Sequence, residues 1–152
     1  MLIIDKIVSL FKTWIMKKLI LNLRAFILSL KSKTPEKISK ILLRETLQIS
    51  SAESCTGGLI SSRLTDVSGS SAYVKMNFVT YSNEAKHKIL NVSEETINKY
   101  GAVSEQCARE MAQGLLQLTK SDIVICTTGV AGPTGSERKP VGLMYAACGF
   151  DG

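Results

Sequence analysis

Leu47-Gln48-Ile49-Ser50-Ser51-Ala52-Glu53-Ser54-Cys55-Thr56-Gly57-Gly58-Leu59-Ile60-Ser61-Ser62-Arg63-Leu64 changes its period part-way along. Leu47–Ser51 alternates like a strand, and Leu59–Leu64 has the spacing of a helix. Between them lies a turn of small residues. A strand that enters a helix through such a turn leaves backbone N–H groups unpaired at the helix start. Those groups and the helix dipole favour negative charge. Gly57 and Gly58 let a ligand approach the backbone closely. Ser54, Thr56 and Cys55 place two hydroxyls and a thiol in the same turn. The pattern suits a nucleophile beside an oxyanion hole, a phosphate cradle, or a plain tight turn capped by Ser and Thr.

Upstream, Thr34-Pro35 reads as an N-cap with proline at the first helical position, opening a helix over about Pro35–Arg44. Downstream, the helix from Leu59 should end near Asp66–Val67, before the loop Ser68-Gly69-Ser70-Ser71. Tyr73–Tyr81 reads as a second strand. A short helix starts at Ser82-Asn83-Glu84, and Ser93 can cap another that ends near Tyr100-Gly101. Ser104 can cap a longer helix over Glu105–Leu118 with one apolar face. Asp122–Thr127 is a nearly continuous apolar strand, as expected of a buried central one. A glycine-rich loop, Gly129–Ser136, follows it, and Leu143–Gly149 is a last strand. Strands alternating with helices imply an α/β fold with a helix-covered, largely parallel sheet, in which one antiparallel strand is allowed.

The chain has 152 residues, 45% of them hydrophobic, enough for one domain with a real core. Its net charge of +6 is unevenly placed: residues 1–40 carry nine Lys/Arg against two Asp/Glu, and residues 41–152 carry ten against eleven. The basic character belongs to the leader, so the remainder shows no electrostatic footprint for nucleic acid. Residues 1–33 are apolar but studded with lysine, with no uninterrupted run near the roughly 20 residues a membrane span needs. They read as an extra amphipathic helix or as a non-native extension ahead of a start at Met16. An organelle transit peptide and contact with a membrane surface are weaker alternatives. Cys55, Cys107, Cys126 and Cys148 are too far apart in sequence for a CxxC pair, and His87 is the only histidine. The expectation is no metal site and a reducing, cytoplasmic setting.

In an open α/β sheet, ligands bind outside the carboxyl ends of the strands. Three segments meet there: the Ser54 turn, Thr80–Lys86, and the Gly129–Ser136 loop. The second brings Tyr81 and Lys86. A serine becomes a nucleophile beside a group that takes its proton. A lysine can be that group if burial or a neighbouring cation lowers its pKa well below about 10.4. Taken alone, Lys86 also reads as a surface lysine, and His87 as a solvated helix residue. Cys55 adjoins Ser54 in a strand-like stretch, where neighbouring side chains point opposite ways, and reads as packing.

Ala52–Gly58, Thr80–Lys86, Gly101-Ala102-Val103-Ser104, Gly129-Val130-Ala131-Gly132-Pro133 and Lys139-Pro140-Val141-Gly142 occur in one order. Together they resemble the CinA C-terminal domain family, over about residues 35–150. The resemblance implies a three-layer α/β/α sandwich with a mixed, mostly parallel sheet. It also implies hydrolysis of the carboxamide of nicotinamide mononucleotide to nicotinic acid mononucleotide and ammonia, with no metal or cofactor. It casts Ser54 as nucleophile, Lys86 as its base and Tyr81 as a hydrogen-bonding partner of the pair. Thr56, Gly57, Gly58, Asn83, Gly129, Ala131, Gly132 and Pro133 would shape the pocket, and amides near Thr56–Gly58 would hold the oxyanion.

Members of that family usually continue into a glycine- and arginine-bearing segment and a terminal helix, whereas this sequence stops at Asp151-Gly152. Residues 34–152 are therefore expected to form a domain truncated at its C-terminal end. Such a domain would expose apolar surface on one sheet face or edge, covered by the leader or by a second subunit in a homo-oligomer. A catalytically impaired nucleotide-binding or interaction module of the same fold is the alternative function.

Overall fold

Every residue of β1 (Ile49–Glu53) is buried, although three of the five are polar. A strand closed in on both faces belongs inside a covered sheet, and the computed structural model places it there. The structure describes residues 34–135 and 139–150. The leader with its membrane contact, Ser136 and Asp151-Gly152 lie outside the described residues.

β1 pairs in parallel with β2 (Val74–Val79) on one side and with β3 (Ile123–Gly129) on the other. β4 (Met144–Phe150) runs antiparallel to β3, giving the order β2-β1-β3-β4. The sheet is mixed and mostly parallel, with helices on both faces.

β1 ends later than the alternation of Leu47–Ser51 implies. Parallel neighbours on both sides carry the ladder onward: the amide of Thr80 donates to Glu53 O at 2.8 Å, and that of Ser54 to Thr127 O at 3.0 Å. The strand therefore delivers Ser54 directly.

Alternation divides the core. Ile49, Ile123 and Ile125 face α1 (Thr34–Glu45) and α2 (Leu59–Thr65), packing with Leu42, Ile60, Leu64 and Tyr73. Ala52, Val124 and Cys126 face the opposite side. There they meet α5 (Glu105–Thr119) through Cys107, Met111, Ala112 and Leu115, and Leu90 at the end of α3 (Asn83–Leu90). α4 (Glu94–Tyr100) links α3 to α5. Ser82, Ser93 and Ser104 cap α3, α4 and α5, each hydroxyl accepting from the amide three residues on. Apolar surface remains at both sheet edges: Met76 and Val79 on β2 and Phe150 on β4 are exposed. No helix among the described residues is long and apolar enough to cross a membrane.

The connections set the position of the site. β1 leaves the sheet toward α2 on one face, and its neighbour β2 leaves toward α3 on the other. Chains departing in opposite directions open a crevice at the carboxyl ends of the two strands.

α5 closes on α3 at Gly114, where a Cβ would lie 1.7 Å from Leu90 O and 2.6 Å from Leu90 C. Backbone cannot swing aside as a side chain does. Gly114→Ala is expected to lower the unfolding free energy by about 3 kcal/mol, read from urea denaturation. A loss under about 0.5 kcal/mol, the ordinary range of surface changes, would mean that α5 does not approach α3 this closely.

Candidate active site

Ser54 stands at the end of β1 and Lys86 one turn into α3, on either side of the crevice. Lys86 Nζ lies 3.0 Å from Ser54 Oγ. It also donates to Thr80 O at 2.9 Å and to Tyr81 O at 3.2 Å. Lys86 is 1% exposed and Ser54 7%. Among the described residues Lys86 has no ion-pair partner. Burial pushes its ammonium below the ordinary lysine range, against weaker opposition from the Cys107 and Cys55 thiols.

This arrangement constrains the neutral amine. Carbonyl oxygens only accept, so Thr80 O and Tyr81 O take two N–H groups. The nitrogen lone pair is left facing Ser54 Oγ, from which it can receive a proton.

The turn is shaped by a residue that the sequence reading passed over. Glu53 is fully buried. Its carboxylate accepts from the amides of Gly58 at 3.1 Å, Ile60 at 3.0 Å and Ser61 at 2.8 Å, and from Ser61 Oγ at 2.6 Å. Burial acts to raise its pKa, but hydrogen bonds from Ser61, Thr56 and the Ser61 and Ile60 amides outweigh it and hold the carboxyl below the ordinary range. The start of α2 is thus filled by the chain's own anion, which corrects the expectation of a free phosphate cradle there. Gly58 caps α2 with φ 102°, a conformation suited to glycine.

The amides of the turn are engaged unevenly. The Gly58 amide is spent on Glu53, and that of Gly57 on Ser54 O at 3.1 Å. Among the described residues the amides of Cys55 and Thr56 carry no backbone hydrogen bond, so of the expected Thr56–Gly58 donors only Thr56 keeps an amide without a backbone partner.

Tyr81 partners Lys86 through its carbonyl, and the residue is 73% exposed. The Thr56 and Thr127 hydroxyls are 2.8 Å apart and tie the turn to β3. Gly129 backs onto the turn: a Cβ there would lie 2.9 Å from Cys55 Sγ and 2.7 Å from Leu143 O. Ala131, Gly132 and Pro133 form an exposed part of the loop, with Gly132 against Val141. Asn83, exposed at the start of α3, lines an open groove toward α4 with Glu84, His87, Glu94 and Asn98. All four cysteines are free. Burial raises the Cys55 thiol, and Cys55 packs toward Gly129 as expected of a filler.

Glu53 carried a faint signal, a carboxylate a few residues ahead of a helix start. Its distance from that start hid it, because caps are sought at the residue adjoining the helix.

Residues 31–152 match the model of the CinA C-terminal domain. A CinA-like protein of Chloroherpeton thalassium is 59% identical over 110 residues, which are 72% of this chain and 26% of that protein. A putative competence-damage inducible protein of Halothermothrix orenii is 51% identical over 120 residues, 78% of this chain and 29% of that one. This chain therefore spans only about a quarter of the length of the curated relatives it matches. The crystal structure of competence/damage inducible protein CihA from Agrobacterium tumefaciens superposes with a TM-score of 0.74 at 45% identity, covering 76% of this chain and 71% of that one.

Glu53→Gln replaces an all-acceptor group with one whose amide end faces N–H donors. It is expected to lower stability by about 2 kcal/mol at pH 7, the scale of hydrogen bonds to a charged group. Because the folded-state pKa of Glu53 is lowered, its contribution is full above the unfolded value of about 4.3 and fades as pH falls through the folded one. The gap between wild type and variant, followed by urea unfolding, should narrow on acidification; a constant or widening gap would contradict an ionised Glu53.

Proposed function

The chain belongs to the CinA C-terminal domain family, and from that premise we propose that it hydrolyses the carboxamide of nicotinamide mononucleotide, giving nicotinic acid mononucleotide and ammonia. The observation that carries the reading is the 3.0 Å contact between Lys86 Nζ and Ser54 Oγ in a buried crevice without a carboxylate on the lysine.

Ser54 Oγ attacks the carboxamide carbon while Lys86 takes its proton. The carbonyl oxygen becomes an oxyanion facing the amides of Cys55 and Thr56. As the tetrahedral intermediate collapses, the C–N bond breaks and the proton on Lys86 passes to the leaving nitrogen, which departs as ammonia. Water then attacks the acyl-serine, Lys86 takes a proton from it, and that proton returns to Ser54 Oγ as the acid leaves. Every proton taken is returned, and no step calls on a metal or cofactor. Tyr81 acts through its carbonyl, steering the amine. Thr56, Gly57, Gly58 and Gly129 shape the walls of the crevice, with Asn83, Ala131, Gly132 and Pro133 at its margin. The four free thiols suit a cytoplasmic setting.

The test is ammonia release from nicotinamide mononucleotide by the full chain. Ser54→Ala is expected to reduce turnover at least about 10³-fold. Lys86→Arg should fail almost as badly as Lys86→Ala, since arginine holds its proton. kcat/KM should rise with pH and level off below the ordinary lysine value of about 10.4 as free Lys86 loses its charge. A chain that binds the nucleotide yet releases no ammonia would be a binding module instead.

Cys55→Ser is expected to keep most of the turnover. Complete loss with the fold intact would make the thiol a rival nucleophile.

A further inference from the structure

The sheet face beneath α2 carries three polar contacts in a row. The end of the Asn77 amide assigned as Oδ1 lies 2.9 Å from Ser51 Oγ, and Ser51 Oγ lies 2.9 Å from Ser61 Oγ. Ser61 Oγ lies 2.6 Å from Glu53 Oε1. Ser51 and Glu53 are fully buried. Asn77 sits opposite Ser51 on edge strand β2 and is half-buried.

Proton counting gives this row a direction. Each hydroxyl has one proton to donate. An ionised carboxylate only accepts, so the Ser61 proton goes to Glu53. If Asn77 presented its oxygen to Ser51, the Ser51 proton would go there, and the 2.9 Å contact between the hydroxyls would hold no proton. Turning the amide by half a turn exchanges Oδ1 for Nδ2 with almost no change of shape. Asn77 then donates to Ser51, Ser51 to Ser61 and Ser61 to Glu53, one proton to each contact. The opposite direction requires a protonated Glu53, and three backbone amides aimed at that carboxylate oppose protonation.

We propose that Asn77 is a positioning residue for Ser54: its side-chain N–H starts a one-way hydrogen-bond chain through Ser51 and Ser61 that ends on the Glu53 carboxylate. That carboxylate is gripped from α2 by amides and from the sheet edge by the chain. Ser54, the next residue, inherits the fixed position. The part concerning Ser54 rests on its reading as the nucleophile; the direction of the chain does not.

Asn77→Asp tests the direction. An ionised aspartate can only accept, whereas its protonated form can donate to Ser51 as the amide does. The introduced carboxyl should thus titrate above the free value of about 3.9 in the folded state. Its favourable contribution is full below that value and lost as pH rises through the folded pKa. Relative to wild type at the same pH, the unfolding midpoint should be nearly unchanged near pH 4 and lower by about 5 °C at pH 7. If Asn77 accepted instead, both forms of the carboxyl would serve, because the protonated form keeps an acceptor oxygen, and no deficit would grow toward pH 7; a deficit that does not increase with pH overturns the proposal. Should the variant fail to fold at any pH, the wild-type chain decides it. Cross-relaxation in ¹⁵N-labelled protein between the Asn77 side-chain N–H protons and Ser51 Hβ is expected, and its absence overturns the chain.

For positioning, the kcat ratio of variant to wild type in ammonia release should fall about 10-fold between pH 6 and 8, the effect of a sub-ångström misplacement, with KM little changed. A flat ratio beside the expected stability slope would leave a structural chain and refute the positioning role. An inactive wild type with the same slope would instead refute the amidase reading while upholding the direction of the chain.

Discussion

A carboxylate without water must find donors, and the burial of Glu53 makes that demand at the end of the central strand. Leaving it unpaired would cost several kcal/mol, comparable with the net stability of a small domain. The chain meets the demand locally. Three amides and one hydroxyl from the start of α2 converge on the carboxylate, and they can do so only if residues 54–58 fold back over it. The tight turn, the left-handed Gly58 and the start of α2 follow from that one requirement. So does the placement of Ser54, held between its covalent link to Glu53 and the hydrogen bond its amide donates to Thr127 O.

The crevice itself comes from topology. β1 and β2 are adjacent and parallel, and their connections leave for opposite faces. The two connections diverge at the strand ends, so a side chain from each can meet there. Ser54 comes from the first strand end and Lys86 from the helix after the second, although 32 residues separate them in sequence. The close approach of α5 to Leu90 through Gly114 steadies α3 from behind. Lys86 thus projects from a helix packed on the core, as a group required within hydrogen-bonding distance of another must.

The architecture was legible because its signals were periodic or local. The apolar run Ile123–Cys126, the capping serines at 93 and 104 and the single apolar face of α5 each appear where their spacing places them. Ser54 and Lys86 were legible as residues at strand ends, a topological statement that needs no coordinates. What escaped was non-local or depended on which atoms were already engaged. That Gly57 and Gly58 have no amide to spare follows from bonds to Ser54 O and to Glu53, which composition does not reveal. The partnership of Asn77, Ser51 and Ser61 joins an edge strand, a central strand and a helix; single residues of neutral polarity give no hint of it. Tyr81 illustrates a third limit, since its carbonyl meets the lysine and a backbone atom has no signature in the residue name.

The two buried charges explain each other. A lysine acts as a base only if it releases its proton readily, and a carboxylate beside it would hold that proton by Coulombic attraction. Glu53 adjoins Ser54 in the chain, and a pairing with Lys86 would disable a base, but alternation along β1 turns the Glu53 side chain to the face opposite Lys86. The structure avoids it by directing the Glu53 carboxylate into the start of α2, where amide dipoles and hydroxyls satisfy the negative charge. Lys86 is left with neutral acceptors only, two carbonyls and a hydroxyl, none of which stabilises an ammonium as a carboxylate does. Burial can then lower its pKa unopposed by a full negative charge. On the proposed reading the filled helix start is therefore more than a fold determinant: it holds the Glu53 carboxylate away from the amine that is to accept the serine proton.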